Sequence, residues 1–233
     1  MDQAEWLIDH MCMHLGLANL GDSDVLDFGC GVKFTQALIN RSLPIRRYVG
    51  VDVEREVIDY LQAHVDDARF EYHLLDAHNE LYNPDGVPLS AEMPMPIEGQ
   101  TFDVICLFSV FTHLAPHDYR AMLQLLHRFA KPNAHLFYTL FINELTDNGH
   151  GLIDSLASKA GAALARPVLE ADDPPVPDFV DMNPSDPLRW AVYSRQHALE
   201  LIDGTGWQVE SVSPPDIHLQ HHIVCTAETP NQT

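Results

Sequence analysis

The stretch Val25-Leu26-Asp27-Phe28-Gly29-Cys30-Gly31-Val32 constrains this chain more than any other. An apolar run interrupted by one acid reads as a short buried strand, and it runs directly into a Gly-x-Gly turn. Helix-compatible residues follow from Lys33 to Ser42, before Pro44. A strand, a glycine turn and a helix build a backbone nest beside a helix N-terminus, a setting for part of a nucleotide-like ligand. The two glycines let such a ligand approach the main chain where a Cβ would collide with it.

Downstream residues repeat the pattern. Tyr48-Val49-Gly50-Val51-Asp52 is a second apolar strand ending in an acid, 21 residues after Gly31. That separation suits an acid meeting the ribose hydroxyls of a ligand lying across the first turn. Leu74-Leu75-Asp76 gives a third strand with an acid just past its end. Successive acid-ended strands point to an open parallel sheet that binds its ligand at the carboxyl edge. The dinucleotide fingerprint needs a third glycine where this chain has Phe34, which disfavours nicotinamide and flavin cofactors. An acid before the glycines, Asp27, suits a positively charged amino group better than a pyrophosphate. S-adenosylmethionine has such a group, carries a sulfonium and has no phosphate.

At these residues the chain resembles the class I S-adenosylmethionine-dependent methyltransferases. Val25–Val32 is similar to their first motif, Tyr48–Val53 to their ribose-binding second motif, and Leu74–Ala77 to the adenine-side third motif. Phe102–Leu114 is similar to their fourth-strand motif, and Lys131-Pro132-Asn133-Ala134 to the Lys-Pro-Gly-Gly turn before the fifth strand. Lys33 stands where the first motif commonly has a third glycine. The resemblance covers residues 22–142 closely and 190–228 more loosely. It implies an α/β, Rossmann-like, doubly wound seven-stranded sheet in the order 3-2-1-4-5-7-6, its last strand antiparallel, with helices on both faces. It also implies a cofactor site at Asp27, Phe28, Gly29, Cys30, Gly31, Asp52, Val53, Asp76, Ala77 and Phe108.

A chain of 233 residues with 46% hydrophobic content suffices for one α/β domain with a full core. The formal net charge of −21, with lysines only at 33, 131 and 159, should repel nucleic acid and anionic membrane. Cys12, Cys30, Cys106 and Cys225 show no close pairing, so reduced thiols and a cytoplasmic setting are expected. Neither a signal peptide nor a membrane span is read.

Along the chain, residues 2–15 read as a helix with apolar residues nearly all round, expected to pack on both sides. Val57, Leu61 and Val65 mark a helix over Glu54–Asp66, and Arg69–Leu75 alternates as a strand. Residues 82–100 hold four prolines and two glycines, which excludes regular structure. So long a loop leaving the ligand edge is a candidate for contact with substrate. A helix starts at Pro116, and Ala134–Phe141 is the fifth strand. Residues 143–192, acidic and proline-rich toward their end, read as a lid inserted into one domain that spans 1–233. Ser194 caps a helix that Gly204 and Gly206 end. Trp207–Val212 and Gln220–Thr226 are closing strands.

Methyl transfer to a hydroxyl needs a base near the ends of strands four and five. His113 is the first candidate, because a neutral imidazole near pH 7 can take a hydroxyl proton. Glu144 and His150 rank second. Some relatives hold a divalent metal with an acid-x-x-acid-His pattern, but Ser109 and Thr112 occupy the acid positions here. A second cluster, His218, His221 and His222, could ligate a metal, although adjacent residues on a strand face opposite ways. Phrases such as Ser-Val-Phe-Thr-His-Leu and Gln-His-His-Ile-Val resemble methyltransferases of bacterial sugar and glycan pathways, among them the sugar 1-O-methyltransferases of methylmannose polysaccharide synthesis. The expected partners are a small-molecule acceptor, a sugar on this resemblance, and at most a second copy of the chain. S-adenosylhomocysteine would be the product. The alternatives are N- or C-methylation of another metabolite, a dehydrogenase, and a non-catalytic binding protein.

Overall fold

The computed structural model describes residues 3–143, 177–182, 187–215 and 219–228. In chain order these form α1 (Gln3–His14), β1 (Leu20–Phe28), α2 (Lys33–Asn40), β2 (Ile45–Asp52), α3 (Arg55–His64), β3 (Phe70–Leu74) and β4 (Phe102–Leu107). A 3-10 turn (Phe111–His113) follows, then α4 (Pro116–His127), β5 (Ala130–Ile142), β6 (Phe179–Asp181) and β7 (Ala191–Tyr193). The chain closes with α5 (Arg195–Glu200), β8 (Trp207–Ser213) and β9 (His221–Ala227).

The main sheet runs β3-β2-β1-β4-β5-β9-β8. Its first five strands are parallel, and β9 is antiparallel to both of its neighbours. This is the doubly wound order expected from the sequence. Helices cover both faces because the inner strands are apolar on both sides, with Leu26, Val49, Ile105 and Cys106 showing no exposed surface. α1, α2 and α3 pack on one face with Val25, Tyr48 and Phe137. α4 and α5 pack on the other with Leu26, Tyr138 and Ile223.

Among the described residues, two short strands extend this seven-stranded sheet to nine. β5 is 13 residues long and outruns its neighbours. Its far end pairs in parallel with β7 through Phe141–Val192 and Ile142–Tyr193, and β7 pairs with β6. The returning end of the insertion therefore extends the sheet, with Phe141, Met182 and Val192 as a small core of its own. Residues 144–176 and 183–186 of the insertion, including Glu144 and His150, lie outside the described residues.

Two other expectations are adjusted. α1 buries one face through Ala4, Ile8, Met11 and Cys12, while Met13 is 64% exposed, so the helix does not pack all round. The 82–100 loop has no regular element, yet it buries Leu89, Met93, Met95 and Ile97 against the α4 side of the core. At the turn before β5, Asn133 has φ +60° where the resembled family has glycine, and asparagine tolerates that left-handed conformation. Beside it Lys131 joins Asp24 at 2.7 Å and Asp103 at 2.8 Å, tying together the N-terminal ends of β1, β4 and β5.

Candidate active site

The carboxyl edge of the sheet carries a cleft with two lobes that share Gly29, Gly31, Phe108 and Ser109. One lobe is a cavity of about 240 Å³. The other, about 550 Å³, opens toward α1.

The glycine turn forms because β1 ends one residue before a position that only glycine occupies easily. Gly29 has φ +74°, and a Cβ there would lie 2.5 Å from Cγ2 of Val110. Gly31 has φ +48° and nothing within 4 Å of where its Cβ would be, so its main chain faces open space in the cleft. The turn is fastened from β2. Gly29 N donates to the Val51 carbonyl at 2.7 Å, and Gly31 N donates to Oδ2 of Asp52 at 2.9 Å. The other Asp52 oxygen accepts from Glu54 N at 3.0 Å. Each carboxylate oxygen keeps a further lone pair, so Asp52 can still accept from a ligand hydroxyl.

Asp27 lies beneath the turn, 2% exposed, and accepts a hydrogen bond from the Tyr48 hydroxyl at 2.5 Å. Burial pushes its carboxyl up to about 7; the Tyr48 hydroxyl and the Cys106 thiol pull it down, and the charge of Asp52 pushes it up again. A cation placed against this carboxyl would favour its ionised form, because opposite charge offsets the cost of desolvation.

Of the residues anticipated for the cofactor, Phe28, Gly29, Gly31, Asp52, Val53, Ala77 and Phe108 line the smaller lobe, and Asp27 and Cys30 line the larger. Asp76 lines neither. It is exposed, and its carboxylate takes a hydrogen bond from Asn83 at 3.1 Å while the chain turns Ala77 inward. Sequence reasoning did not single out Glu54, Asn79, Tyr82 or Leu89, which also line the smaller lobe. It treated Lys33 only as a departure from a glycine, whereas Lys33 lines the larger lobe together with Gln3, Thr139 and Gln220. An acid two residues past Asp52 and a proline-rich loop at the carboxyl edge were the available signals.

His113, at the end of the 3-10 turn, lines the smaller lobe. Its Nδ1 lies 3.1 Å from the Leu188 carbonyl. A carbonyl can only accept, so Nδ1 carries the hydrogen and Nε2 of the neutral ring keeps a lone pair. Burial lowers the His113 pKa from its ordinary 6.5, with the charge of Arg189 acting in the same direction and the backbone at Leu188 and Arg189 opposing. The imidazole is therefore neutral at pH 7. Tyr82 meets its ring edge-on, with centroids 5.9 Å apart. The turn leading to His113 is held by Ser109, at φ +59°, whose N–H donates to Oγ1 of Thr139 at 2.8 Å and whose carbonyl accepts from Thr112 Oγ1 at 2.8 Å. Glu144, His150 and His218 lie outside the described residues.

The fold has many solved counterparts. A putative S-adenosylmethionine dependent methyltransferase from Listeria monocytogenes matches with a TM-score of 0.60 at 13% identity, over 97% of this chain and 99% of that one. Magnesium protoporphyrin IX methyltransferase from Synechocystis PCC 6803, solved with bound S-adenosylhomocysteine, matches with a TM-score of 0.56 at 12% identity, over 97% and 83% of the two chains. The glycopeptide N-methyltransferase MtfA, complexed with the same molecule, matches with a TM-score of 0.60 at 11% identity, over 97% and 90%. At such identities the likeness is one of fold, and the acceptors of the latter two proteins differ. A family model described as a methyltransferase domain matches residues 7–212, from α1 through β8 and across both lobes of the cleft. On that match the chain belongs to the methyltransferase-domain family.

Proposed function

We propose that the protein transfers a methyl group from S-adenosylmethionine to a hydroxyl of a small polar molecule, a sugar or glycan precursor, with His113 as general base. The observation that carries this reading is the contact of His113 Nδ1 with the Leu188 carbonyl, which assigns the hydrogen to Nδ1 and leaves Nε2 as the acceptor of a neutral ring lining the lobe continuous with the glycine turn.

The chain's own residues fit the cofactor. Gly31 leaves a cradle that a side chain would enter, Asp52 and Glu54 offer oxygens to ribose hydroxyls, and Ala77 and Leu89 give an apolar wall for a flat base. In the larger lobe Asp27 suits the ammonium of the amino-acid end, and Lys33 suits its carboxylate. S-adenosylmethionine supplies a methyl carbon activated by the sulfonium. As the acceptor oxygen bonds that carbon, its proton passes to Nε2 of His113. Transfer would leave the carbon–sulfur electron pair on sulfur, giving S-adenosylhomocysteine as product. Positioning of the two reactants can lower the barrier by about 7–11 kcal/mol. His78, Asn79, Tyr82 and Ser109 around His113 supply the hydrogen-bonding groups a polyol needs.

The test is transfer from S-adenosylmethionine with a deuterated methyl group to a panel of sugars and sugar phosphates, read by product mass and fragmentation, after calorimetric titration with S-adenosylhomocysteine. Label on a sugar oxygen supports the reading. Label on nitrogen or carbon of another acceptor overturns the hydroxyl assignment, and absence of S-adenosylhomocysteine binding by folded protein overturns the cofactor assignment.

A further inference from the structure

Three histidines far apart in the sequence meet on the α1 face of the sheet. His10 and His14 lie one turn apart on α1, and His222 comes from β9, 212 residues from His10. Nε2 of His10 lies 2.9 Å from Nδ1 of His222 and 3.1 Å from Nε2 of His14. All three ligand atoms fall within 4.8 Å of one another, with His222 1% exposed and the other two half-buried. The alternation along β9 sends His222 to this face and His221 to the opposite one, so of that adjacent pair only His222 joins the cluster; His218 lies outside the described residues.

A neutral imidazole nitrogen has either one hydrogen or one lone pair. Nε2 of His10 faces two other ring nitrogens and has a single hydrogen or lone pair to share between them. Three lone pairs directed at a common cation satisfy all three rings at once.

We propose that His10, His14 and His222 bind one divalent transition-metal ion of the zinc class, fastening α1 to β9 beside the cleft. Imidazole donors with no carboxylate among them favour zinc and its neighbours over magnesium or calcium. Around a tetrahedral ion with bonds of about 2.0–2.1 Å, ligand nitrogens sit about 3.3–3.4 Å apart. The two separations from His10, 2.9 and 3.1 Å, thus need to widen by only a few tenths of an ångström. Outer contacts orient them. Ser213 Oγ lies 3.3 Å from Nδ1 of His14, and Trp6 stacks on His10 at 4.6 Å with the ring planes 17° apart. Such partners set ring orientation and tautomer at metal sites. Three protein ligands leave a fourth position for water. Gln3 and Leu7 of α1 line the larger lobe, and Thr139, which faces His222 across β5 and β9, lines it too. The ion would hold the helix that closes that side of the cleft.

The experiment uses the full chain stripped with a chelator, then titrated with Co²⁺ and with Zn²⁺. One equivalent of Co²⁺ with the intense visible bands of four-coordinate geometry, displaced by one equivalent of Zn²⁺, is the expected result. The His10→Gln, His14→Gln double variant, checked for native circular dichroism, should lose both. Because His222 is fully packed, its substitution is not relied on. Failure of folded wild-type protein to take up micromolar Zn²⁺, or uptake unchanged in the double variant, overturns the proposal. Neither readout depends on methyl transfer.

Discussion

The buried acid beneath the glycine turn makes a quantitative claim about ligand binding. Asp27 has its carboxyl pushed up to about 7, chiefly by burial. In the free protein it is therefore largely protonated at pH 6 and largely ionised at pH 8. If the ammonium of S-adenosylhomocysteine binds only the ionised form, affinity is full above the raised pKa and falls as pH drops through it. The weakening factor is about 1.1 at pH 8 and about 11 at pH 6. Binding should thus be about tenfold weaker at pH 6 than at pH 8, or about 1.4 kcal/mol. Isothermal titration across that range measures it directly. Histidines titrate in the same window, so variants assign the effect. Asp27→Asn should flatten the profile. Tyr48→Phe removes the hydrogen bond that favours the carboxylate and should move the midpoint to higher pH. A wild-type affinity constant from pH 6 to 8, or a slope that survives in Asp27→Asn, would refute the reasoning.

Other perturbations test neighbouring parts of the site. Asp52→Ala removes the acceptor for Gly31 N and Glu54 N as well as for a ribose hydroxyl. A hydrogen bond to a charged group contributes about 1.5–3 kcal/mol, so S-adenosylhomocysteine should bind about 10- to 150-fold more weakly by titration. His113→Ala should leave that affinity unchanged and lower turnover by about 10²–10⁴. In the wild type turnover should rise with pH with its midpoint below 6.5, since burial lowers the His113 pKa; near-normal turnover in the variant would place the base elsewhere. Gly29→Ala puts a methyl 2.5 Å from Val110 at φ +74°. Overpacking of about 1–3 kcal/mol and a left-handed backbone cost of roughly 1–2 kcal/mol should lower the thermal midpoint. Adding Val110→Ala should restore the packing part alone.

Much of the frame is legible in the sequence because its signals are short-ranged. A strand that is buried on both faces is apolar throughout, a turn at positive φ favours glycine, and a helix that begins after Ala115 announces itself with Pro116. These rules act over a few neighbouring residues, so α3 and the start of α4 fall within two residues of where the pattern puts them and β2 ends at Asp52 as read, whereas β1 and β2 begin five and three residues before their apolar runs. Asp27, Gly29, Gly31 and Asp52 reach the cleft for the same reason, since strand ends in a parallel sheet share an edge. Asp76 shows where that logic stops. Past the end of β3 no strand periodicity governs direction, and the Asn83 contact turns the carboxylate aside.

Chain pattern by itself determined a doubly wound sheet with a glycine-turn cleft at its carboxyl edge, because local propensity and burial period already encode both. Tertiary structure alone decided the state of the groups inside. Leu188 selects the His113 tautomer from 75 residues away. The long end of β5 recruits β6 and β7 from the insertion. His10 and His14 meet His222 across nearly the whole chain. A hydrogen bond, a strand edge or a shared cation joins groups in space without regard to their separation in sequence, and no local pattern carries that information.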